Sequence, residues 1–285
     1  MSDWNETYRG AVPPWQCDVT EHFTIAYYFD RIEEAQANLA DTLGLGELAR
    51  RRDLPRRMDC RFARELRAGA SFHVESAALA ASEANTLRLG HRVVDSVSSE
   101  VVTWFEEHWD LSAAPLTPQQ KSVVETQVAA WNGPAAEVRP EPVSTAGSIP
   151  TARGRVKPID VDATGHFGLA AIVHRFSNAS GQSGAAIGMD AHFMERERRG
   201  FSTFELGLRI FGGLPLDAPY LVESAIGHLG SSSLRMIHRM TDVSTGTEIA
   251  RLSQFGVNLD LDARRPARWP DEIRTRAEKL LVPVA

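Results

Sequence analysis

The strongest constraint on this 285-residue chain is that it contains one pattern twice. Asp18-Val19-Thr20-Glu21-His22-Phe23 returns, 144 positions on, as Asp162-Ala163-Thr164-Gly165-His166-Phe167. Laying residues 9–46 on 153–190 gives 12 identities in 38 positions, among them Gly10/Gly154, Pro14/Pro158, Arg31/Arg175 and Gly44/Gly188. Unrelated sequence of ordinary composition would give about two or three. Farther on, Val74-Glu75-Ser76-Ala77 returns as Val222-Glu223-Ser224-Ala225, and Leu87-Arg88-x-x-His91-Arg92 as Leu234-Arg235-x-x-His238-Arg239. The fold must therefore be one that two copies of a single unit can build.

Each copy reads alike. Residues 8–17 suit an edge strand, because Pro13 and Pro14 cannot serve a central one. Ile25, Tyr28, Phe29, Ile32, Ala35, Leu39 and Leu43 fall at helical spacing, and Gly44 is a suitable stop. The counterpart helix, 169–187, is rich in Ala, Gly and Ser, a weak helix former that can pack closely on a sheet. Three β-like runs follow each helix, 71–81, 86–94 and 101–111 in copy one and 220–229, 233–240 and 248–259 in copy two. Consecutive strands after one helix predict an α+β fold with antiparallel sheets. Thr117-Pro118-Gln119-Gln120 opens a helix expected to reach about residue 131, and a similar tail helix spans 270–281. Residues 133–150, rich in Pro, Ala and Ser, read as a linker. The expected division is 1–132, linker 133–150, and 151–285.

Composition narrows the function. A formal net charge of −6 argues against a general nucleic-acid or anionic-membrane surface. Two cysteines, Cys17 and Cys60, form neither a disulfide framework nor a metal site. No run approaches the length of a membrane span, and the first residues lack the apolar core of a signal peptide, so a soluble cytoplasmic protein is expected.

Strand, Asp-x-x-x-His, long helix and antiparallel meander together resemble the hotdog-fold thioesterases. In many of these the segment reads Asp-x-Asn-x-His-x-Asn-x-x-x-Tyr. Asp18, His22 and Tyr28 stand at matching positions, with Thr20 and Thr24 where the asparagines stand. Copy two keeps Asp162 and His166, with Thr164, Gly168 and Ile172 at the remaining positions. The tandem arrangement is similar to the double-hotdog acyl-thioesterases, a group that includes the plant acyl-carrier-protein thioesterases. The resemblance implies two tandem hotdog domains, each an antiparallel sheet wrapped around one long helix, with active sites where the two units meet. It also implies an acyl-CoA or acyl-carrier-protein (ACP) thioester as substrate, with coenzyme A part of the substrate and no separate cofactor or metal. A homodimer of the whole chain is compatible with this reading.

Thioester hydrolysis needs a carboxylate to attack the carbonyl or activate water, and donors for the developing oxyanion. Asp18 and Asp162 are the expected carboxylates, and His22 and His166 would orient the acid or polarise the carbonyl. Backbone N–H groups opening each helix, near 24–26 or 168–170, would serve the oxyanion. Thr20, Thr24, Tyr28, Thr164 and Gly168 are expected to line the substrate sites. Arg52 and Arg57, within arginine clusters that follow the helices, would grip phosphates or else pair within the protein. The alternative meaning of each Asp-x-Thr is a simple helix cap.

Other polar residues read as structural. His91 and His238 are expected on solvated strand faces. Glu33 and Glu34 lie on the first helix, where some hotdog enzymes carry a catalytic carboxylate. Copy two has Ser177 and Asn178 there, which favours a polar face. Two competing functions follow the same fold. A double-hotdog hydratase or dehydratase is disfavoured, because such enzymes resemble Asp-x-Asn-Pro-x-His, with the imidazole five positions after the acid. A non-catalytic acyl-binding protein would accommodate the absence of the asparagines. Copy one, which keeps Tyr28, is expected to hold the more active of two unequal sites.

Overall fold

The computed structural model describes residues 4–18, 21–80, 85–135, 137 and 139–285. In chain order the first half contains β1 (Asn5–Ala11), α1 (Ile25–Thr42), α2 (Gly46–Ala49), β2 (Arg56–Phe62), β3 (Ser71–Leu79), β4 (Thr86–Asp95) and β5 (Val101–Asp110). A connector follows with α3 (Pro118–Thr126) and β6 (Val128–Ala129). The second half contains β7 (Ile149–Arg155), α4 (Leu169–Ile187), α5 (Ala191–Glu197), β8 (Arg199–Ile210), β9 (Pro219–Leu229), β10 (Ser233–Asp242), β11 (Glu248–Asp260), β12 (Arg265–Pro266) and α6 (Asp271–Glu278).

The strands form one sheet in the order β1-β3-β4-β5-β2-β8-β11-β10-β9-β7. The order is a palindrome of the two halves. β1 and β7 are its edges, a position that suits Pro150 within β7. The halves meet where β2 pairs with β8 antiparallel, with Asp59 opposite Gly207. Both long helices lie against this sheet and against each other. α1 buries Ala26, Phe29, Ile32, Ala35 and Leu39, and α4 buries Ala170, Val173, Phe176 and Ala179. One apolar core spans both halves, from Val12 and Cys60 to Ile172 and Leu252.

β2 and β8, the two central strands, were not among the expected runs. The chain there reads as arginine clusters after each helix. In β2, Arg-Arg-Met-Asp-Cys-Arg-Phe alternates strictly: Met58 and Cys60 are buried, while Arg57, Asp59 and Arg61 point to the outer face. The expected helix to 131 ends at Thr126, after which β6 pairs parallel with β3.

Segment 139–150 is held down rather than slack. Arg139 donates to Glu205 at 2.7 and 2.8 Å, and Glu141 pairs with Arg209 and Arg251, each at 3.0 Å. Glu141 and Ala285 exchange backbone hydrogen bonds. Three Arg–carboxylate pairs and a backbone bridge explain why a Pro-rich composition does not make this stretch a free tether.

His91 and His238 are fully buried, which corrects the expectation of solvated strand faces. Each closes the same buried hydrogen-bond chain. Thr7 Oγ1 lies 2.7 Å from Ser76 Oγ, which lies 2.6 Å from His91 Nδ1. Thr151, Ser224 and His238 repeat it at 2.6 and 2.6 Å. Burial outweighs a hydrogen bond with Gln254 and holds the His238 imidazole down to about 4, so it is neutral at pH 7.

Candidate active site

The two Asp-His junctions share one backbone path. In each, the Asp amide donates to the carbonyl of the His four residues on (2.9 Å for Asp18, 2.8 Å for Asp162). In each, the residue before the His takes a left-handed conformation, Glu21 at φ 65° and Gly165 at φ 77°. The following Phe amide then donates to a carbonyl of the strand-leading loop, Leu66 for Phe23 and Leu214 for Phe167, both at 2.8 Å. This loop fastens the motif to the end of β2 or β8 and aims the helix N-terminus at the seam between the halves.

In half two the carboxylate is gripped. Asp162 Oδ1 accepts from the Thr164 amide at 2.7 Å and hydroxyl at 2.6 Å. Its Oδ2 accepts from the guanidinium of Arg52, which comes from half one. Burial works against ionisation of Asp162, but Thr164 and Arg52 outweigh it and hold the carboxyl below the ordinary range. His166 Nδ1 lies 3.1 Å from the Thr164 carbonyl oxygen, which can only accept, so this nitrogen is assigned the proton and Nε2 is left for another partner.

The amides that open α4 are not free, as was expected of 168–170. Leu169 N–H donates to Glu33 Oε1 at 3.1 Å and Ala170 N–H to Glu33 Oε2 at 3.3 Å, while Gly168 N–H donates to Asp160 O at 2.9 Å. Glu33 therefore reaches across from α1 to cap the opposite helix, which corrects its reading as a solvated polar face. Burial pushes the Glu33 carboxyl up, and the two amides with the Arg52 charge offset this only in part. Glu33, Asp162, Thr164, Gly168 and Arg52 all line one cleft of about 870 Å³ between α1, α4 and the 159–164 turn. A narrow crevice of about 30 Å³ shares Glu33, Gln36 and Arg52 with it and is walled by Met58, Phe167, Ile172, Leu208 and Ile210.

Gly213 keeps this arrangement open. A Cβ there would come within 2.8 Å of both Arg52 Cβ and His166 Cδ2. Its counterpart, the residue before Leu66, is Glu65, and this difference decides the other junction.

In half one Asp18 is exposed, and its Oδ1 accepts from the His22 amide at 3.2 Å. His22 Nε2 lies 2.9 Å from Glu65 Oε2, and Glu65 also meets Arg264 at 3.0 Å. Thr24, the N-cap of α1, makes no side-chain cap. The position matching Glu33 is Ser177, which is exposed and sends no carboxylate to α1. Tyr28 is buried against Phe23 and Phe62, and its hydroxyl accepts from the Leu66 amide at 3.2 Å. Burial pushes that hydroxyl far above its ordinary value, so it stays neutral. Asp18, His22 and Tyr28 line a cavity of about 210 Å³. Thr20 lies outside the described residues. Arg57 reaches neither junction: it pairs with Asp59 at 2.8 Å on the outer face of the sheet.

Glu65 and Gly213 are site residues that the sequence did not single out, and Glu33 was weighed there and read as a polar face. The signal available for all three was a mismatch between the copies.

Residues 156–277, which carry the second junction, match the model of the thioesterase-like superfamily. Over nearly its whole length the chain resembles solved hotdog-fold thioesterases. An acyl-ACP thioesterase from Bacteroides thetaiotaomicron is 10% identical with a TM-score of 0.65, over 89% of this chain and 98% of that one. A Lactobacillus plantarum protein provisionally named an oleoyl thioesterase is 12% identical with a TM-score of 0.67, over 91% and 99%. A 12:0-ACP thioesterase from Umbellularia californica is 15% identical with a TM-score of 0.62, over 88% and 92%. At such identities the likeness is one of fold. Among curated proteins no sequence matches.

No helix among the described residues is long and apolar enough to cross a membrane.

Proposed function

We propose that the chain is a thioesterase of two tandem hotdog domains, 1–132 and 151–285 joined by 133–150, which hydrolyses an acyl-CoA or acyl-ACP thioester at the half-two junction. The observation that carries this reading is the Glu33 carboxylate, seated on the opening amides of α4 in the cleft that Asp162 also lines. A carboxylate pushed up by burial is a stronger base than an exposed one, and the amides beneath it are donors of the kind an oxyanion needs.

In the proposed reaction the thioester carbonyl takes one of the two amides from Glu33. Glu33 accepts a proton from water as the water oxygen bonds to the carbonyl carbon. The tetrahedral intermediate collapses with cleavage of the C–S bond, and Glu33 returns the proton to the departing thiolate. The products are a carboxylic acid and a thiol. Asp162 is then a positioning carboxylate, because its oxygens are already taken by Thr164 and Arg52. Arg50, Arg52 and Arg175 at the cleft supply charge for the phosphates of the carrier.

This places hydrolysis in half two, whereas the expectation from sequence favoured Asp18 and His22. Three features favour the change: Asp18 is exposed, Glu65 meets the His22 ring nitrogen, and the position matching Glu33 is Ser177, which is exposed. The test is thiol release from a panel of acyl-CoA and acyl-ACP substrates by wild type, Asp18→Asn and Asp162→Asn. Loss confined to Asp162→Asn supports the assignment, and loss confined to Asp18→Asn refutes it. No thiol release by wild type from any member would favour a binding protein.

A further inference from the structure

The duplicated Thr–Ser–His chain ends differently in the two halves. In half two it stops within the sheet: Gln254, at the position of Glu107, donates to Thr203 Oγ1 at 2.7 Å. In half one it crosses to the helix. Glu107 Oε2 faces His91 Nε2 at 3.7 Å, and Glu107 Oε1 accepts from Gln36 Nε2 at 2.9 Å. Glu107 and Gln36 are both buried, 1% and 6% exposed. The position of Gln36 in α4 is Ser180, which donates to Met236 Sδ at 3.6 Å.

Gln36 lies three residues beyond Glu33 on α1, so the two side chains are neighbours along one helix face. Both they and Glu107 line the narrow crevice. A buried amide–carboxylate bond between sheet and helix is thus present in the half whose helix sends a carboxylate across the seam, whereas the counterpart position in α4 meets the sheet through the weaker Ser180–Met236 contact. A buried amide–carboxylate bond holds its partners tightly, because breaking it strands polar groups with no water to replace the partner.

We propose that Glu107 is a positioning residue: through Gln36 it fixes the rotation of α1 that lays Glu33 on the Leu169 and Ala170 amides. The catalytic consequence rests on the thioesterase reading above, whereas the geometric one does not. Glu107→Gln keeps an acceptor for Gln36 and reproduces the residue that half two already carries. Glu107→Leu and Gln36→Leu remove the bond. The swap Gln36→Glu with Glu107→Gln restores it with donor and acceptor exchanged.

Two readouts test the proposal, each referred to a thermal melt of the same variant. The first is hydrogen exchange of the Leu169 and Ala170 amides, which needs no substrate. Exchange about tenfold faster in both leucine variants, with near wild-type exchange in Glu107→Gln and in the swap, is the expected result. The second is thiol release. Here kcat is expected to fall about tenfold in each leucine variant with KM little changed, with the double leucine variant no worse than either single one. Unchanged exchange at both amides in folded leucine variants would overturn the proposal. So would additive losses in the double variant, or rescue by neither conservative change. Altered exchange in a protein that releases no thiol would leave the positioning intact and remove the thioesterase reading instead.

Discussion

The two junctions began as one sequence, and they differ now in what approaches them from the opposite half. At the second, Glu33 and Arg52 arrive from half one and close around Asp162 and the α4 N-terminus. At the first, Ser177 stands where a carboxylate would be, and Glu65 fills the space that Gly213 leaves beside the other imidazole. The Asp-x-Thr-x-His repeat builds a rigid turn that presents a helix N-terminus. What can be done there depends on the side chain that the other copy sends over. Duplication doubled the turn, and in the proposed reading divergence between the copies, at Glu33/Ser177 and Glu65/Gly213, leaves it chemically useful once.

Substitutions can break or sharpen this contrast. Asp162→Asn should loosen Arg52 and Thr164 together and lower kcat by about 100-fold in a thiol-release assay. Gly213→Ala should cost about tenfold in activity and about 1–3 kcal/mol of stability by thermal melting, since a methyl group there meets Arg52 and His166. The matching change at Glu65, to Ala, should leave activity within about threefold. Ser224→Ala and Ser76→Ala each strand a buried Thr and His, and should cost about 1–3 kcal/mol apiece. Near-equal costs would confirm that the shared scaffold is symmetric where the sites are not.

Acidification should separate the two carboxylates. Glu33 is raised by burial, so the cost of its charge is absent where it is protonated and is felt as pH rises through its folded pKa. Asp162 is lowered, so its stabilisation is present above the ordinary carboxylate range and lost as pH falls through its lowered pKa. The acid limb of kcat should therefore lie above the ordinary carboxylate range, at pH values where the Asp162–Arg52 pair is intact. Parallel kcat and melting profiles against pH check this; coincident loss of both would contradict it.

Much of the scaffold was legible in the sequence. Identities at fixed offset exposed the doubled unit, helical spacing marked α1 and α4, and prolines marked the sheet edges. The central strands were hidden because arginines dominate them, although Arg57, Met58, Asp59, Cys60 and Arg61 alternate as a half-buried strand should. His91 was misplaced for the same reason: it shares a face of β4 with Leu89 and Val93, all buried. Glu33 could not be assigned locally. Its partners lie 136 and 137 positions away, and they meet it only because β2 and β8 join the halves. The lack of a matching acid in the second helix, which argued against Glu33, is what the proposed site, shared unequally between two copies, requires.

The most direct measurement is a side-by-side thiol-release assay of wild type, Glu33→Gln and Asp18→Asn. Placement of the chemistry at the half-two junction predicts a loss of about 100-fold or more for Glu33→Gln and a change within about threefold for Asp18→Asn. Full activity in Glu33→Gln with loss in Asp18→Asn would contradict it, and would return the chemistry to the first junction.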